Sequence, residues 1–319
     1  MLLLEHHEPR LSRIIAIFGL GLIGRSIVNA LSGHVSDGRT FPLTWNDPTE
    51  QCWQWASIVQ ELEMRIARTP SHIPTEVHFL WAAGSAGFLA TESEVEGEFQ
   101  NFERVVDQLD ALKKRSPKVS VCLSLVSSVG GLFEGQRNIN SDSPIVPMRP
   151  YGDLKHRQER LALALQNEVS VRIYRVSTVI GPVSSRGRQG LVAKLVRNGL
   201  NHSETVIFGT LYTLRDYVWC EDVGRYIAEA ILKPQTKECL QTLAAGKPTS
   251  ISEVIAHVES ALNRRLYVRN VPLKSNASDI TVSSRVLPDG WYPRDLVTSI
   301  AMVVHRASVG SLKSDSILL

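Results

Sequence analysis

The sequence predicts an α/β protein with a doubly wound parallel sheet and a smaller C-terminal α/β domain. Two observations support this fold class. Short apolar runs alternate with segments of helical periodicity from residue 14 to residue 174, and a glycine-rich turn joins the first apolar run to the first helix. Strands that alternate with helices form parallel sheets with helices on both faces. At 319 residues, the chain is long enough for one large domain or two smaller ones.

Five strands and their connecting helices follow one another along the chain. The apolar runs predict strands at Ile14–Phe18, Phe41–Trp45, Val77–Trp81, Val119–Leu125 and Val169–Tyr174. Helical spacing predicts helices at residues 26–31, 51–67, 93–114, 151–165 and 251–262, and a further helix that is capped by Asp222 and runs through Ile231. One helix but no additional strand is expected between Asp47 and Val77.

These elements predict a division into two domains with short tails. The predicted segments are an N-terminal tail at 1–12, a dinucleotide-binding domain at 13–180 to which 215–246 returns, a substrate domain at 181–214 and 247–307, and a flexible Ser-rich tail at 308–319.

Composition excludes several classes of protein. The net charge of +3 is too small to favour nucleic-acid binding. No stretch approaches 18 uninterrupted apolar residues, so no membrane span is expected, and the apolar run at the N-terminus is too short for a signal peptide. The four cysteines show no paired metal-binding spacing, which favours reduced thiols, a cytoplasmic location and no metal site. Cys122 lies in an apolar run and is expected to be a small core residue.

The glycine-rich turn has the pattern of a dinucleotide-binding site. Gly19-x-Gly21-x-x-Gly24 follows a predicted strand and opens a predicted helix, so its backbone allows a pyrophosphate to approach the helix N-terminus. The alternative is a glycine-rich turn that binds no ligand. The residues predicted to contact the cofactor here are Gly19, Gly21, Leu22, Ile23 and Gly24, together with Ala82, Ala83 and Gly84 after the third strand.

Asp47, at the end of the second predicted strand, is the candidate for selecting the cofactor. A carboxylate at this position accepts hydrogen bonds from the adenosine ribose and disfavours a 2′-phosphate, which predicts NAD, with NADP as the alternative. Its distance from the glycines is longer than usual, which we attribute to an insertion at Ser32–Thr40. Asn46 competes for this role, and Asp47 is alternatively a turn or cap residue before Pro48.

Tyr151 and Lys155 are the candidate catalytic pair. Residues four apart share one face of a helix, and a positive charge one turn from a tyrosine hydroxyl favours proton exchange near neutral pH. Ser127 and Ser128 end the fourth predicted strand; Ser128 is expected to contact the substrate and Ser127 to face the core. The alternative for Tyr151-x-x-x-Lys155 is an exposed helix start with a basic face.

In this order, the motifs resemble those of the extended short-chain dehydrogenase/reductase family, in its branch of NAD-dependent epimerases and dehydratases. Pro150-Tyr151-Gly152-x-x-Lys155 is similar to the family's active-site helix, Arg175–Pro182 to its strand ending in a Gly-Pro turn, and Arg215–Val218 to its substrate-domain signature. The family usually has Gly-x-x-Gly-x-x-Gly; the pattern starting at Gly19 marks an atypical member.

The resemblance implies a Rossmann domain, a substrate domain and an active site in the cleft between them. It implies hydride transfer between a nicotinamide and a carbinol carbon. Tyr151 would take the substrate's proton, Lys155 would hold the nicotinamide ribose, and Ser128 would bind the substrate oxygen. Thr178 and Arg215 would line the sugar and phosphate side, although Arg215 could instead pair with a local acid.

The expected activity is that of a nucleotide-sugar epimerase or reductase. Val129 and Gly130 follow Ser128 where the resembled 4,6-dehydratases have an Asp-Glu pair, which argues against dehydration. Two alternatives stay open: a reductase of a small non-nucleotide carbonyl compound, and a non-catalytic NAD(P)-sensing regulatory protein, against which the complete Ser–Tyr–Lys set argues.

A homodimer with a four-helix interface is also expected. In the resembled family, the helices that correspond to residues 98–114 and 151–165 pack against their copies. Both segments carry apolar residues beyond the need of one face, namely Val105, Val106, Leu161, Leu163 and Leu165.

Overall fold

The computed structural model describes residues 1–184, 189–233, 238–273 and 278–311, which form two compact units. The first unit comprises Met1–Leu132, Pro147–Arg175 and Gly224–Gln241. The second comprises Phe133–Val146, Val176–Val223 and Thr242–Leu319.

The secondary structure alternates between strands and helices through most of the chain. The strands are β1 Leu2–Glu8, β2 Leu11–Phe18, β3 Ser36–Thr40, β4 Thr75–Trp81, β5 Ser120–Ser128, β6 Ser170–Val176, β7 Thr178–Ile180, β8 Thr205–Phe208, β9 Leu214–Arg215, β10 Tyr217–Trp219, β11 Leu240–Leu243, β12 Thr249–Ser250 and β13 Val268–Val271. The helices are α1 Leu22–Leu31, α2 Pro48–Arg68, α3 Glu92–Arg115, α4 Val129–Leu132, α5 Pro150–Ala164, α6 Leu191–Leu200, α7 Cys220–Leu232, α8 Ile251–Leu262 and α9 Leu296–Ser311.

A seven-stranded sheet organises the first unit, in the order β11-β6-β5-β4-β2-β1-β3. Strands β2, β4 and β5 run parallel, whereas β1 is antiparallel to both of its neighbours, β2 and β3. The mostly parallel sheet with helices between its strands confirms the predicted α/β, Rossmann-like fold class.

One face of this sheet carries the main apolar core. Alternate residues of β2, β4 and β5, among them Phe18, Phe79 and Leu123, pack in one cluster with Trp55 of α2 and Phe102 of α3. Side chains of a strand alternate between the two faces, so residues of the other parity lie on the opposite face. The period-2 pattern of these strands therefore places α2 and α3 on the same side of the sheet.

The opposite face buries polar residues that bond to one another. Arg13 pairs with Glu76 at 3.1 Å, and His78 lies 3.2 Å from the same carboxylate. Burial opposes ionisation of His78, but hydrogen bonds with Cys122 and Glu76 raise its pKa above the ordinary value. Cys122 is buried as expected, and it belongs to this polar network rather than to a purely apolar core.

The predicted N-terminal tail at 1–12 is wrong, because Leu2–Glu8 forms β1 and β2 already begins at Leu11. Leu3 and Leu4 are buried, and β1 pairs with β2 over its full length, from Leu2 opposite Ile17 to Glu8 opposite Leu11. A strand whose second half is His-His-Glu has no period-2 apolar pattern, so the sequence gives little sign of it.

The strand predicted at Phe41–Trp45 is also wrong, and the proposed insertion at Ser32–Thr40 instead contains β3. Pro42 has no backbone N–H to donate to a neighbouring strand. The backbone N–H of Thr44 donates to Oε1 of Gln54 at 2.7 Å, and Nε2 of Gln54 donates to the Thr44 hydroxyl at 2.9 Å. All residues of β3 are exposed, so this edge strand lacks the apolar signal on which the prediction relied.

Several other predicted elements match the structure. Strands β2, β4, β5 and β6 and helices α1, α2, α3, α5 and α8 lie where they were predicted, and between residues 48 and 74 the chain contains α2 but no strand. Of the expected flexible tail at 308–319, residues 308–311 belong to α9, and 312–319 lie outside the described residues.

The second unit is built from strand pairs and a helical cluster. β10 pairs with β7, β12 with β9 and β13 with β8, while residues of α6, α8 and α9 share one apolar core with β10. Asp222 is not an N-cap, because α7 already begins at Cys220; its buried carboxylate accepts the backbone N–H of Arg294 at 2.8 Å. No helix within the described ranges is both long and apolar enough to cross a membrane.

Candidate functional site

The carboxyl ends of three parallel strands bring most of the predicted site residues to one edge of the sheet. Phe18 at the end of β2 is paired with Trp81 at the end of β4, and Trp81 is paired with Leu125 near the end of β5. The glycine turn, the Ala82–Gly84 loop and Ser128 therefore all follow strands at this edge, which is where ligands bind in open α/β sheets.

The glycine turn has the close backbone packing that a dinucleotide site requires. Gly19 has a φ of 94°, and a Cβ there would lie 2.4 Å from the backbone of Ala83. A Cβ on Gly24 would lie 1.9 Å from the carbonyl oxygen of Gly19. Side chains at either position would disrupt the turn, so these two glycines are required by its packing.

Gly21 faces open space, which makes the turn fit a pyrophosphate. A Cβ on Gly21 would meet no atom within 4 Å, and Gly21 caps α1 without a side-chain hydrogen bond. The first-turn amides of Leu22, Ile23 and Gly24 have no carbonyl partner within the helix. An open surface above free amides at a helix N-terminus suits a phosphate group.

The Ala82–Gly84 loop continues directly from β4 and forms the other side of the glycine turn. The backbone N–H of Ala82 donates to the carbonyl of Phe18 at 2.8 Å, which extends the pairing of β2 and β4 past the strand ends. Gly84 has a φ of 150°. The structure therefore brings the two predicted cofactor segments, Gly19–Gly24 and Ala82–Gly84, together.

Asp47 caps helix α2. Its Oδ1 accepts the backbone N–H groups of Thr49 at 2.9 Å and Glu50 at 3.0 Å, which is the cap alternative raised by the sequence. Because β1 lies between β2 and β3, β3 is about 10 Å from β2, two strand spacings rather than one. β1 thus separates β2, which leads into the glycine turn, from β3, the strand that precedes Asp47.

The segment after β3 nevertheless returns toward the middle of the sheet edge. The ring of Trp45 packs edge-on against that of Trp81 at the end of β4, with centroids 5.5 Å apart. Asp47 follows Trp45 by two residues, so its position is tied to that of β4 as well as to β3.

Ser127 and Ser128 face in different directions, as predicted. Ser127 is buried, whereas Ser128 is partly exposed at the end of β5. The Ser128 hydroxyl accepts the backbone N–H of Gly131 at 3.1 Å. A hydroxyl that accepts one hydrogen bond still has its own proton to donate, so Ser128 can bind a substrate oxygen while it is held by α4.

Glycines bring Tyr151 against the segment that holds Ser128. A Cβ on Gly131 would lie 3.1 Å from Cε1 of Tyr151, and a Cβ on Gly152 would lie 2.2 Å from the carbonyl oxygen of Gly131. Helices α4 and α5 therefore meet backbone to backbone. Gly131 contacts both Ser128 and Tyr151, and this contact brings the predicted serine and tyrosine together.

Lys155 lies one turn further along α5, on the same face as Tyr151. Its Nζ is 5.8 Å from the centre of the Tyr151 ring, and the lysine is buried. It donates to Gln158 at 2.9 Å and pairs with Glu98 at 3.4 Å. This burial contradicts the alternative of an exposed basic helix start for Lys155.

Thr178 and Arg215 belong to the second unit. Thr178 is exposed at the start of β7 and pairs with Tyr217. Arg215 donates to the carbonyls of Leu214 and Ser278, so this arginine bonds backbone carbonyls of its own unit.

Asp216, beside Arg215, is an organising carboxylate of the second unit. It accepts the hydroxyl of Ser177 at 2.9 Å and the backbone N–H groups of Ala245 at 2.7 Å and Lys247 at 3.2 Å. Burial raises the pKa of Asp216 even though these hydrogen bonds favour the charged form.

Three features near Tyr151 were missed by the sequence analysis. Glu98 contacts Lys155, Gly131 contacts Tyr151, and the ring of Phe88 lies 6.0 Å from that of Tyr151. Phe88 is covered by the guanidinium of Arg149 at 5.2 Å. The sequence carries no local signal for Glu98, because its importance comes from a contact with Lys155 between two separate helices.

The described residues contain no group of three His, Cys, Asp or Glu side chains arranged to hold a metal ion. The four cysteines, all within the described ranges, form no disulfide.

Known proteins resemble this chain over most of its length. The model of the NAD dependent epimerase/dehydratase family matches residues 15–246. A putative UDP-glucose 4-epimerase of Methanocaldococcus jannaschii is 26% identical over 189 residues, which span 56% of this chain and 61% of that protein. The match thus covers less than two thirds of that relative's length.

Solved structures match more fully but at lower identity. The UDP-glucose 4-epimerase of Thermus thermophilus, in complex with NAD, has a TM-score of 0.69 at 19% identity, covering 93% of this chain and 98% of that one. RMD from Pseudomonas aeruginosa, in complex with NADPH, has a TM-score of 0.69 at 16% identity, covering 93% and 99%. These likenesses confirm the fold.

Because Gly152 packs against Gly131, alanine should destabilise the protein at position 152 but not at position 97, where a methyl group has free space. Gly152→Ala should lower the free energy of unfolding by about 1–3 kcal/mol, because the new methyl group overlaps the Gly131 carbonyl. Gly97→Ala, in α3, is the matched control: its Cβ meets no atom within 4 Å, so it should leave stability unchanged or raise it by up to about 1 kcal/mol. Urea unfolding followed by circular dichroism measures both, and equal stability of the two variants would contradict the close approach.

Proposed function

The chain belongs to the NAD dependent epimerase/dehydratase family, and on that premise we propose that it is an NAD(P)-dependent epimerase or reductase acting on a nucleotide sugar by hydride transfer. The proposal depends on one observation above all: Gly131 contacts both Ser128 and Tyr151, and Lys155 lies one turn from Tyr151, in the unit that carries the open glycine turn.

The residues of the sheet edge fit the cofactor. The amides of Leu22, Ile23 and Gly24 and the open surface of Gly21 hold the pyrophosphate. When bound, such a cofactor would supply a nicotinamide able to take a hydride from a carbinol carbon and to return it to the resulting carbonyl. NAD is the proposed cofactor, and NADP is the alternative.

Each member of the Ser–Tyr–Lys set has a separate task. The Tyr151 hydroxyl takes the proton of the substrate hydroxyl and returns it. The Ser128 hydroxyl, already held by the Gly131 amide, donates its proton to the same substrate oxygen and stabilises the charge that develops there. The Lys155 ammonium stabilises negative charge on Tyr151 and holds the nicotinamide ribose.

The relatives' names support a nucleotide sugar as substrate, since two of the three are UDP-glucose 4-epimerases. Thr178 and Arg215 are proposed to contact its sugar and phosphate groups. The residues after Ser128 favour epimerisation or reduction over dehydration, because Val129 is buried and Gly130 has no side chain that could act as an acid or base in the elimination of water.

A second candidate function is favoured by the surroundings of Tyr151. The Phe88 ring and the exposed side chains of Leu89 and Met148 give the first unit apolar surface close to α5. An apolar surface suits a small hydrophobic carbonyl compound, which would be reduced by the same three residues.

Replacing the hydroxyl of Tyr151 tests the chemistry. Tyr151→Phe should lower turnover of a UDP-sugar by on the order of 10²–10⁴ and leave cofactor binding nearly unchanged, because it removes only the proton donor. Lys155→Met should lower turnover and also weaken cofactor binding. Ser128→Ala should lower turnover less than Tyr151→Phe, because a water can partly replace the hydroxyl.

The control for these variants is Tyr267→Phe, which removes the hydroxyl of an exposed tyrosine in the second unit. Epimerisation and reduction are assayed on a panel of UDP-sugars. Full activity of Tyr151→Phe on the true substrate would refute the proposed chemistry, and activity only on hydrophobic carbonyls would favour the second candidate.

Asp47 predicts tighter binding of NADH than of NADPH, because its carboxylate repels a 2′-phosphate. Asp47→Ser separates this role from capping: serine is also a good N-cap, so α2 should persist while the preference for NADH falls by about 10-fold. Nucleotide fluorescence titrations of both cofactors measure the two affinities. Tighter binding of NADPH by the unmodified protein would rule out the ribose role.

A symmetric homodimer is proposed, together with a cytoplasmic location. Val105 and Val106 lie in the core of the first unit, so they do not support the interface. The outer surface of α3, beside Leu161 of α5, instead offers charges of both signs, from Glu103, Arg104 and Asp107, to a second copy related by a two-fold axis.

Light scattering should show a dimer at micromolar concentration. Asp107→Arg should shift it toward monomer, because a two-fold axis repeats the altered charge. Asp142→Arg, at an exposed site in the second unit, is the control. A monomer in the unmodified protein would contradict the proposed assembly.

A further inference from the structure

Glu98 of α3 is a buried carboxylate beside the catalytic lysine, and no sequence motif includes it. It is 8% exposed and Lys155 is 6% exposed. Its Oε1 lies 3.4 Å from Nζ of Lys155, which also donates to the Oε1 of Gln158 at 2.9 Å. Two buried acceptors thus fix the ammonium on the face of α5 that carries Tyr151.

The second oxygen of Glu98 binds the loop that follows β4. Its Oε2 accepts the backbone N–H of Ala86 at 3.0 Å. Ala86 is two residues beyond Gly84, which belongs to the proposed cofactor segment. One carboxylate therefore bridges this loop and Lys155, with one oxygen for each.

Gly84 provides the space that Glu98 occupies. A Cβ at position 84 would lie 2.6 Å from Oε1 of Glu98 and 3.0 Å from Oε2, and Gly84 has a φ of 150°. The loop backbone thus approaches the carboxylate more closely than any other residue type would allow.

Neighbouring charges have other partners. On α3, Glu94 bonds to Thr91 and Glu96 pairs with Arg157 at 2.8 Å. On α5, Glu159 pairs with Arg175 at 2.7 Å. Among the residues that the structure describes, Glu98 is the carboxylate that contacts Lys155.

Stability alone is a weak reason for such a pair. Removing two charges from water offsets much of their attraction, so buried ion pairs often stabilise a fold no better than apolar residues of the same size. A role in placing the lysine accounts for both contacts of the carboxylate.

We propose that Glu98 is a positioning residue for Lys155, which holds the ammonium beside Tyr151 and ties it to the loop after β4. The inference rests on the proposed function. It links two parts of the site, since the carboxylate that fixes the lysine is also bonded to the loop at Ala86.

A double-mutant cycle tests the proposal. Glu98→Gln keeps the shape and one acceptor oxygen but removes the charge. It should lower kcat by about 10- to 100-fold while KM for the nucleotide sugar changes by less than about 2-fold, because the lysine is misplaced rather than the substrate. In the Lys155→Met background, the same substitution should cause no further loss of turnover.

Thermal unfolding provides a readout that does not need activity. Lys155→Met leaves an uncompensated buried carboxylate and should lower Tm. Adding Glu98→Gln should then raise Tm relative to Lys155→Met alone. These Tm values show whether Glu98 and Lys155 are energetically coupled even if Lys155→Met has no measurable turnover.

Glu96→Gln is the matched control, because Glu96 and Arg157 join the same two helices at the surface without touching Lys155. It should leave kcat unchanged. The proposal is overturned if Glu98→Gln keeps full kcat, or if Glu98→Gln and Glu96→Gln lower kcat equally. It is also overturned if the Tm changes caused by Glu98→Gln and by Lys155→Met are additive in the double variant. Loss of activity in Tyr151→Phe with full kcat in Glu98→Gln would overturn this inference and leave the proposed function intact.

Discussion

The close backbone contact between Gly131 and Gly152 is the constraint on which the candidate site depends. The first residues of α5 can reach the segment after β5 only because neither position carries a side chain. That contact sets the Tyr151 ring against Gly131, whose amide in turn binds Ser128. The parallel register of β2, β4 and β5 then places Ser128 at the same edge as the glycine turn. Backbone geometry thus determines where the side chains of Ser128 and Tyr151, from two separate sequence segments, lie.

The two faces of the sheet carry different kinds of side chain. The face toward α2 and α3 is apolar and supplies the main core of the first unit. The opposite face carries a largely buried network in which the carboxylate of Glu76 bonds both Arg13 and His78. A buried charge is tolerated where a partner of opposite charge and hydrogen bonds compensate it. Glu98 and Lys155 form such a pair near the candidate site. The cost of desolvation therefore constrains the positions of Lys155 and its neighbours.

The predictable parts of this protein are those with a periodic or local signal. Strands β2, β4, β5 and β6 are apolar and bounded by turns, and α3 repeats apolar residues at helical spacing, so each could be located from the sequence. β1 and β3 could not be found, since one is half charged and the other fully exposed, and their pairing depends on distant strands. Glu98 and Gly131 matter through contacts between separate segments, which no local pattern records.

The central claim is that Tyr151, Ser128 and Lys155 promote hydride transfer from a nucleotide sugar to a nicotinamide held at the glycine turn. The most direct measurement is the absorbance of reduced nicotinamide on the protein, loaded with oxidised cofactor and mixed with UDP-sugars in a stopped-flow instrument. The account predicts that a reduced-cofactor signal appears with at least one UDP-sugar in the unmodified protein and is lost in Tyr151→Phe. A signal of equal size and rate in both proteins, or none with any UDP-sugar, would contradict it.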